Sequence, residues 1–172
     1  MFTYLGIIFD ETISWVPHIQ YILSKAGKRL GMLSRLRRDL TCHAANNLYL
    51  SFIRPIFDYG DTVWNCCGVG NARLLDNFQR RAFKIVSRST DSDKALMDLK
   101  WPELQSRRDE RTFKLVNKCI SGICPQFFKQ YFNFNNTRTR QRNLLHLPRV
   151  WNETAKKSFY YHGCVVYNRQ IN

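Results

Sequence analysis

From Ile19 to Leu36, apolar residues recur every three or four positions, at Ile19, Ile22, Leu23, Ala26, Leu30, Leu33 and Leu36. That spacing lays one continuous stripe along an amphipathic helix. Ser14 is a plausible cap, and Pro17 suits the first turn, where a missing N–H costs no helical hydrogen bond. Lys25, Lys28, Arg29, Arg35 and Arg38 fall largely on the opposite side, so one rod carries a core stripe and a basic stripe. A second helix is expected after a Thr41 cap, with Ala45, Leu48, Tyr49, Phe52 and Ile53 on its apolar side, until Pro55 and Gly60 kink or end it. Asn71 opens a third, with Leu74, Leu75, Phe78, Ala82, Ile85 and Val86 inward and Arg73, Arg80, Arg81, Lys84 and Arg88 largely outward. Trp101-Pro102 starts a fourth, whose Leu104, Arg108, Leu115, Val116, Cys119 and Ile120 share a side and which stops near Gly122. Pro125 to Phe132 predicts a last, short, aromatic-rich helix.

Two stretches break this helical pattern. Residues 3 to 9, Thr-Tyr-Leu-Gly-Ile-Ile-Phe, are β-branched and aromatic and read as one strand, followed by a turn at Asp10-Glu11-Thr12. A single strand cannot satisfy its own ladder, so its partners are expected far along the chain or outside it. At the other end, residues 133 to 143 are polar and basic, with Arg138, Arg140 and Arg142 alternating with Thr139 and Gln141, and read as an exposed linker. Residues 144 to 150 and 158 to 167 are apolar enough to be ordered, but of ambiguous period. Thr90-Asp91-Ser92-Asp93 marks a joint before a short segment, Lys94 to Leu99. The expected architecture is mainly α: a helical bundle with a lone N-terminal β-strand and an irregular C-terminal segment. Its parts are a strand region at 1–12, helices at 13–90, further helices at 91–132, and a basic linker with a C-terminal segment at 133–172.

Charge changes the picture. The 172 residues include 27 Lys and Arg against 13 Asp and Glu, a net charge of +14 that favours a polyanionic partner. Nucleic acid is the first candidate; an acidic membrane surface is second, with no apolar run near the ~20 residues of a spanning helix and no lipidation motif. The first residues lack a basic leader and a small-residue cleavage site, so an intracellular place, nuclear or cytoplasmic, is expected. The six cysteines are then read as reduced thiols. Cys119 and Cys124 with His146 and His162 match no compact zinc-finger spacing, and Cys119 falls on an apolar helix face, so no metal is assigned.

Candidate chemistry is sparse. There is no Gly-x-Ser-x-Gly elbow, no Walker-type loop and no His-Glu-x-x-His helix, and nothing in the pattern brings the four histidines together. Asp58 and Asp61 are the best acidic pair, but they flank Tyr59-Gly60 at a helix exit, where Asp and Gly are explained by turn and termination chemistry. A two-metal site needs carboxylates that converge on ions about 4 Å apart. The basic helix faces carry more: two helices with one-sided cationic stripes suit phosphate contact without sequence readout. Phe127, Phe128, Tyr131, Phe132 and Phe134 could stack on bases, but at near-helical spacing they read first as core.

Taken in order, Tyr4-Leu5-Gly6-Ile7-Ile8-Phe9-Asp10, Ser14-Trp15-Val16-Pro17-His18-Ile19 and Lys28-Arg29-Leu30-Gly31-Met32-Leu33 resemble the end of the palm and the start of the thumb in LINE-type, non-LTR retrotransposon reverse transcriptases, particularly the jockey-like group. Leu48-Tyr49, Arg54-Pro55-Ile56-Phe57-Asp58-Tyr59-Gly60 and Val63-Trp64 are similar to that family's Leu-Tyr, Arg-Pro-Ile-Leu-Glu-Tyr-Gly and Val-Trp. Phe78-Gln79-Arg80-Arg81-Ala82 resembles its Gln-Arg-Arg-Ala helix, and Leu99-Lys100-Trp101-Pro102 its Leu-x-x-Pro-Leu segment. Ser158-Phe159, Gly163-Cys164 and Tyr167-Asn168 resemble the terminal Ser-Phe, Gly-Ala and Trp-Asn, although Arg169-Gln170-Ile171 departs from the Leu-Pro ending.

The resemblance implies an RNA-directed DNA polymerase whose catalytic aspartates and Mg ions belong to the palm, upstream of the Tyr-Leu-Gly strand. The chain itself is then expected to be no enzyme and to hold no cofactor. It would grip RNA, DNA or an RNA–DNA hybrid through phosphates, with Lys25, Lys28, Arg29, Arg35, Arg38, Arg80, Arg81, Lys84 and Arg88 as the contacts. The alternatives are a helical interaction module that docks on other polymerase chains through its exposed strand, and a decayed element without function.

Overall fold

The computed structural model describes residues 1–88, 99, 101–136 and 143–171. The fold class is as expected, mainly helical with a small antiparallel sheet at the N-terminus. Within that sheet lies one difference: the run expected as a single strand over residues 3 to 9 is part of a hairpin. β1 (Phe2–Tyr4) and β2 (Ile7–Phe9) pair antiparallel, Phe2 opposite Phe9 and Tyr4 opposite Ile7. Leu5 and Gly6 form the turn with φ of 46° and 78°, the positive values a two-residue hairpin loop requires. The ladder that lacked a partner in the sequence thus finds one inside the same segment.

The chain forms two compact units. The first comprises Met1–Asp61 and Cys67–Gln105, the second Thr62–Cys66 and Ser106–Asn172.

In the first unit, α1 (Val16–Leu36) buries His18, Ile19, Ile22, Ala26, Leu30 and Leu33. Its entry is organised by Asp10 more than by Ser14. The Asp10 carboxylate accepts from the backbone N–H of Ser14 (3.0 Å) and Trp15 (3.2 Å) and from the Thr12 hydroxyl (2.6 Å). Burial alone would raise its pKa, yet these donors together hold it well below the ordinary carboxylate range. Leu36, expected inward, is exposed, and Arg37 takes the buried place just past the helix end.

Thr41 caps α2 (Cys42–Leu48) as expected, its hydroxyl accepting from Ala44 N–H at 3.2 Å. Pro55 does not end this rod. A π-helical stretch, Tyr49–Ile53, carries it into α3 (Pro55–Asp58). Proline lacks an N–H and crowds the preceding turn, and the wider turn absorbs that, with Arg54 N–H donating to Tyr49 O at 2.9 Å. The buried face is Ala45, Tyr49, Ile53 and Phe57, while Leu48 and Phe52 are exposed. Gly60, at φ 60°, closes the rod before α4 (Asp61–Trp64).

α5 (Gly68–Ser87) begins three residues earlier than Asn71 suggested and buries Leu75, Gln79, Ala82, Phe83 and Val86, leaving Leu74 out. Gln79 is a polar residue on the core face that ties down backbone. Its amide donates to Pro102 O (3.0 Å) and accepts from Leu104 N–H (3.3 Å). Trp101 stacks on Tyr49 at 3.9 Å, meets Phe83 at 4.2 Å and donates its indole N–H to Asn46. The expected joint at Thr90–Asp93 and most of the segment after it lie outside the described residues.

The second unit is built on α6 (Leu104–Ile120) from Ser106 onward, and the helix stops just before Gly122, at φ 75°, near the predicted stop. Val116 and Cys119 pack with Phe132, Leu145, Cys164 and Tyr167. Burial and the neighbouring Cys124 thiol push Cys119 up to about 12, a thiol held inert in the core. Arg108, placed on the apolar face by its spacing, is indeed buried, its Nε donating to Asn65 while Asn65 donates to Asp109 and Thr112. After α7 (Gln126–Lys129) come α8 (Glu153–Lys156) and α9 (Phe159–Ile171), so of the two segments of ambiguous period 158–167 falls in a helix from Phe159 onward and 144–150 does not. Gly163 is needed there, because a Cβ would meet Val116 at 3.0 Å. Asn168 pairs its amide with both backbone groups of Leu145, at 2.7 and 2.9 Å, as a strand neighbour would.

Gly60→Ala places a Cβ at positive φ and 2.7 Å from Ile7 Cδ1; it should lower stability by about 1–2 kcal/mol in a denaturant melt. His18 and His162 both titrate below their ordinary value. Burial is the cause for His18, whose Nδ1 accepts from Ile8 N–H and so keeps the ring neutral. At His162 burial again dominates, opposed by Asp109 and reinforced by Arg169 and Arg108. The unfolded chain takes up these protons first as pH falls below about 6.5. The stability is therefore complete above that pH and lost below it. The melting temperature should drop from pH 7.5 to 5, and the drop should shrink in the His18→Gln, His162→Gln double variant; a flat wild-type profile would refute it.

Candidate nucleic-acid interface

The cations nominated by the sequence all lie in the first unit, on α1, on α5 and just past their ends. Lys25, Lys28, Arg35, Arg38, Arg80, Arg81, Lys84 and Arg88 are exposed and Arg29 is half-buried. The burial of one stripe on each helix leaves these long side chains the solvent side, where their stems can lie along the helix and their heads reach water.

The structure groups them unequally. Lys25 and Arg29 line a cleft of about 320 Å³ with His18, Tyr21 and Tyr59. Lys25 stands over the Tyr21 ring at 5.9 Å, and Arg29 over the Phe52 ring at 4.1 Å while donating to Phe52 O. Arg29 is therefore already committed to holding α1 against the π-helical stretch. Arg80 shares a small hollow with Asp76 and Glu103, whose charges oppose an approaching phosphate. Arg35, Arg38 and Arg88 line one open depression together with Ser34 and Arg37.

Arg37, which helical periodicity does not single out, explains how that depression forms. Its Nε donates to Ile85 O (3.1 Å) and Val86 O (2.9 Å) in the last turn of α5, and its Nη1 to Leu40 O (2.6 Å). Arg88, past the end of α5 at φ 58°, returns the contact, its Nη2 donating to Arg37 O (2.7 Å) and Arg38 O (2.8 Å). Each helix C-terminus is thus capped by an arginine from the other, and two partial negative ends are neutralised together. No sequence signal singles out Arg37, because a buried and an exposed arginine look alike in sequence. Lys28, Arg35, Arg38, Arg81 and Lys84 are paired with no carboxylate among the described residues.

The acidic pair stands apart from any such surface. Asp58 lies 3.8 Å from Arg54 one turn earlier, and Asp61 is buried at the start of α4. No group of three or more His, Cys, Asp or Glu able to hold a metal is found among the described residues, and no helix among them is long and apolar enough to cross a membrane.

Mainly helical, with cations along two packed helices that meet no carboxylate among the described residues, the chain falls in the broad class of basic helical proteins. One comparison narrows the class: 87 residues are 25% identical to a probable RNA-directed DNA polymerase from transposon BS of Drosophila melanogaster, a match over 49% of this chain and 10% of that protein. The matched stretch spans about a tenth of the length of that relative, and it points to a reverse-transcriptase-related region. No family model matches the chain, and no solved structure matches it.

The reciprocal caps make a sharp test. Arg37→Ala removes charged hydrogen bonds to three carbonyls and should cost about 1.5–3 kcal/mol in thermal or denaturant unfolding. Arg38→Ala, exposed and with no carboxylate partner among the described residues, should change stability by no more than about 0.5 kcal/mol.

Proposed function

We propose that the chain is the thumb and post-thumb part of a LINE-type reverse transcriptase, which holds the template–primer duplex through its phosphates. The observation that carries this reading is the set of exposed cations on α1 and α5 that meet no carboxylate among the described residues, with Arg35 and Arg38 beside the depression at one end of the helix pair. The likeness to a transposon polymerase supports it from the side of sequence. On this reading the chain polymerises nothing by itself, because deoxynucleotide selection and the Mg-dependent step belong to palm and finger residues that it does not supply. RNA, DNA and hybrid duplexes are all accepted, since phosphates position a strand without reporting its sequence.

A second reading has one observation in its favour. Every residue of β1 is exposed, Phe2 and Tyr4 each at 64%, so the hairpin offers an edge on which another polymerase chain could add a strand. Light scattering separates the two, because strand addition between copies gives a dimer and phosphate binding does not require one.

Anisotropy titrations of duplex and hybrid oligonucleotides over a salt series test the leading reading. Affinity should fall steeply with salt, with a log–log slope of roughly −0.9 per phosphate contacted. An Arg35→Glu, Arg38→Glu variant should flatten that slope by about 2, and Arg80→Glu should matter less. Tight binding indifferent to salt, or none at low salt, would sink the proposal.

A further inference from the structure

The surplus positive charge is concentrated away from the nominated cations. By sequence, the second unit holds 13 Lys and Arg against 3 Asp and Glu, a net +10, whereas the first holds 14 against 10, a net +4. The more basic unit also carries aromatic rings on its surface. α7 and the turn after it present Phe127, Phe128, Tyr131 and Phe132 in close succession. Phe132 points into the core, where its ring meets Phe159 and Tyr160 edge-on. Tyr131 rests against Tyr160 at 5.2 Å. Phe127 packs on Phe128 at 4.1 Å and stands perpendicular to Tyr131 at 6.5 Å. Phe127 and Tyr131 nevertheless stay 55% and 38% exposed. Each exposed ring is therefore backed by another ring, which fixes its orientation while leaving part of its surface open to solvent. Lys129, on the same short helix, is exposed beside them.

We propose that Phe127 and Tyr131 form a stacking platform for unpaired bases of single-stranded RNA or DNA, with the surplus cations of the second unit acting on its phosphates. A net charge of +10 selects a polyanion. Among polyanions, a single strand is the one whose planar apolar rings can also use an aromatic surface; acidic peptides and lipid headgroups bring charge without such rings, and a duplex keeps its bases stacked inside. Fixed rings lose little freedom when a base settles on them, and every base has a π face, so the platform accepts any sequence. The proposal rests on the nucleic-acid reading above, but it concerns other residues and another state of the strand.

The test compares a single-stranded oligonucleotide carrying one 2-aminopurine with its matched duplex, on the whole chain. Phe127→Ala and Tyr131→Ala should each weaken single-strand binding roughly 5- to 100-fold and relieve 2-aminopurine quenching. Duplex affinity should be unchanged, and Phe127→Trp should keep single-strand binding. Thermal melts serve as the fold check: if Tyr131→Ala melts early, Phe127→Ala decides, since its ring is the more exposed. Unchanged single-strand affinity and quenching in Phe127→Ala would overturn the platform, as would an equal loss for duplex. A wild-type dimer that Phe127→Ala converts to monomer would also overturn it and make the patch a contact between copies. If duplex binding is salt-dependent and sensitive to Arg35→Glu, Arg38→Glu while Phe127→Ala does nothing, the platform alone fails. If only Phe127→Ala matters, the thumb reading fails and the platform stands. Binding to neither probe rejects both.

Discussion

The buried stripe of α1 is the surface on which the first unit is assembled. Ile19, Ile22, Ala26, Leu30 and Leu33 face α5, the π-helical stretch, α3 and β2, all of which pack against this one helix. Ala26, fully buried, lets a neighbour approach closely at the middle of the stripe. A rod this deeply committed on one side has a single free side left, and its lysines and arginines occupy it. The cationic surface is thus a consequence of the packing as much as an addition to it.

Arginine serves two opposite purposes in this chain, and the difference is one of carbonyl access. Where a guanidinium reaches unpaired helix-end carbonyls, as Arg37 and Arg88 do reciprocally, it is consumed in holding elements together. Buried Arg108 is held in the same way by the Asn65 side chain, with the Trp64 ring 5.5 Å from its guanidinium. Where no such acceptor lies within reach among the described residues, as at Arg35 and Arg38, the charge is left on the surface, and in the proposed scheme it is these that meet a phosphate. Arg29 is an intermediate case, tied to Phe52 by ring and carbonyl together while still lining a cleft. A count of positive residues therefore overstates the binding surface, and the fold decides which of them remain.

The two units divide labour in the proposed scheme. Helix faces present cations at intervals suited to a regular backbone, whereas ring-backed aromatics suit bases that have left the stack.

The helices were legible because each buries one apolar stripe whose period can be read residue by residue. Thr41, Gly60 and Gly122 were legible as cap and stops because their backbone chemistry is local. The hairpin was missed because Leu5 and Gly6 turn within an apolar run, where alternation continues across the reversal. Whether Pro55 would kink the second rod or end it was left open by the sequence, because a proline's clash can be relieved by one wide turn, and only the packing of Tyr49, Ile53 and Phe57 shows that it was. The C-terminal helix escaped because its buried Gly163, Cys164, Val166 and Tyr167 follow the shape of Val116 and Phe132 more than any strong apolar contrast. For the candidate site, residue types and helix faces were set by the sequence alone. Which cations are spent on carbonyls, which sit beside carboxylates and which aromatic rings stay exposed are decided by tertiary structure, since each depends on a neighbour far along the chain.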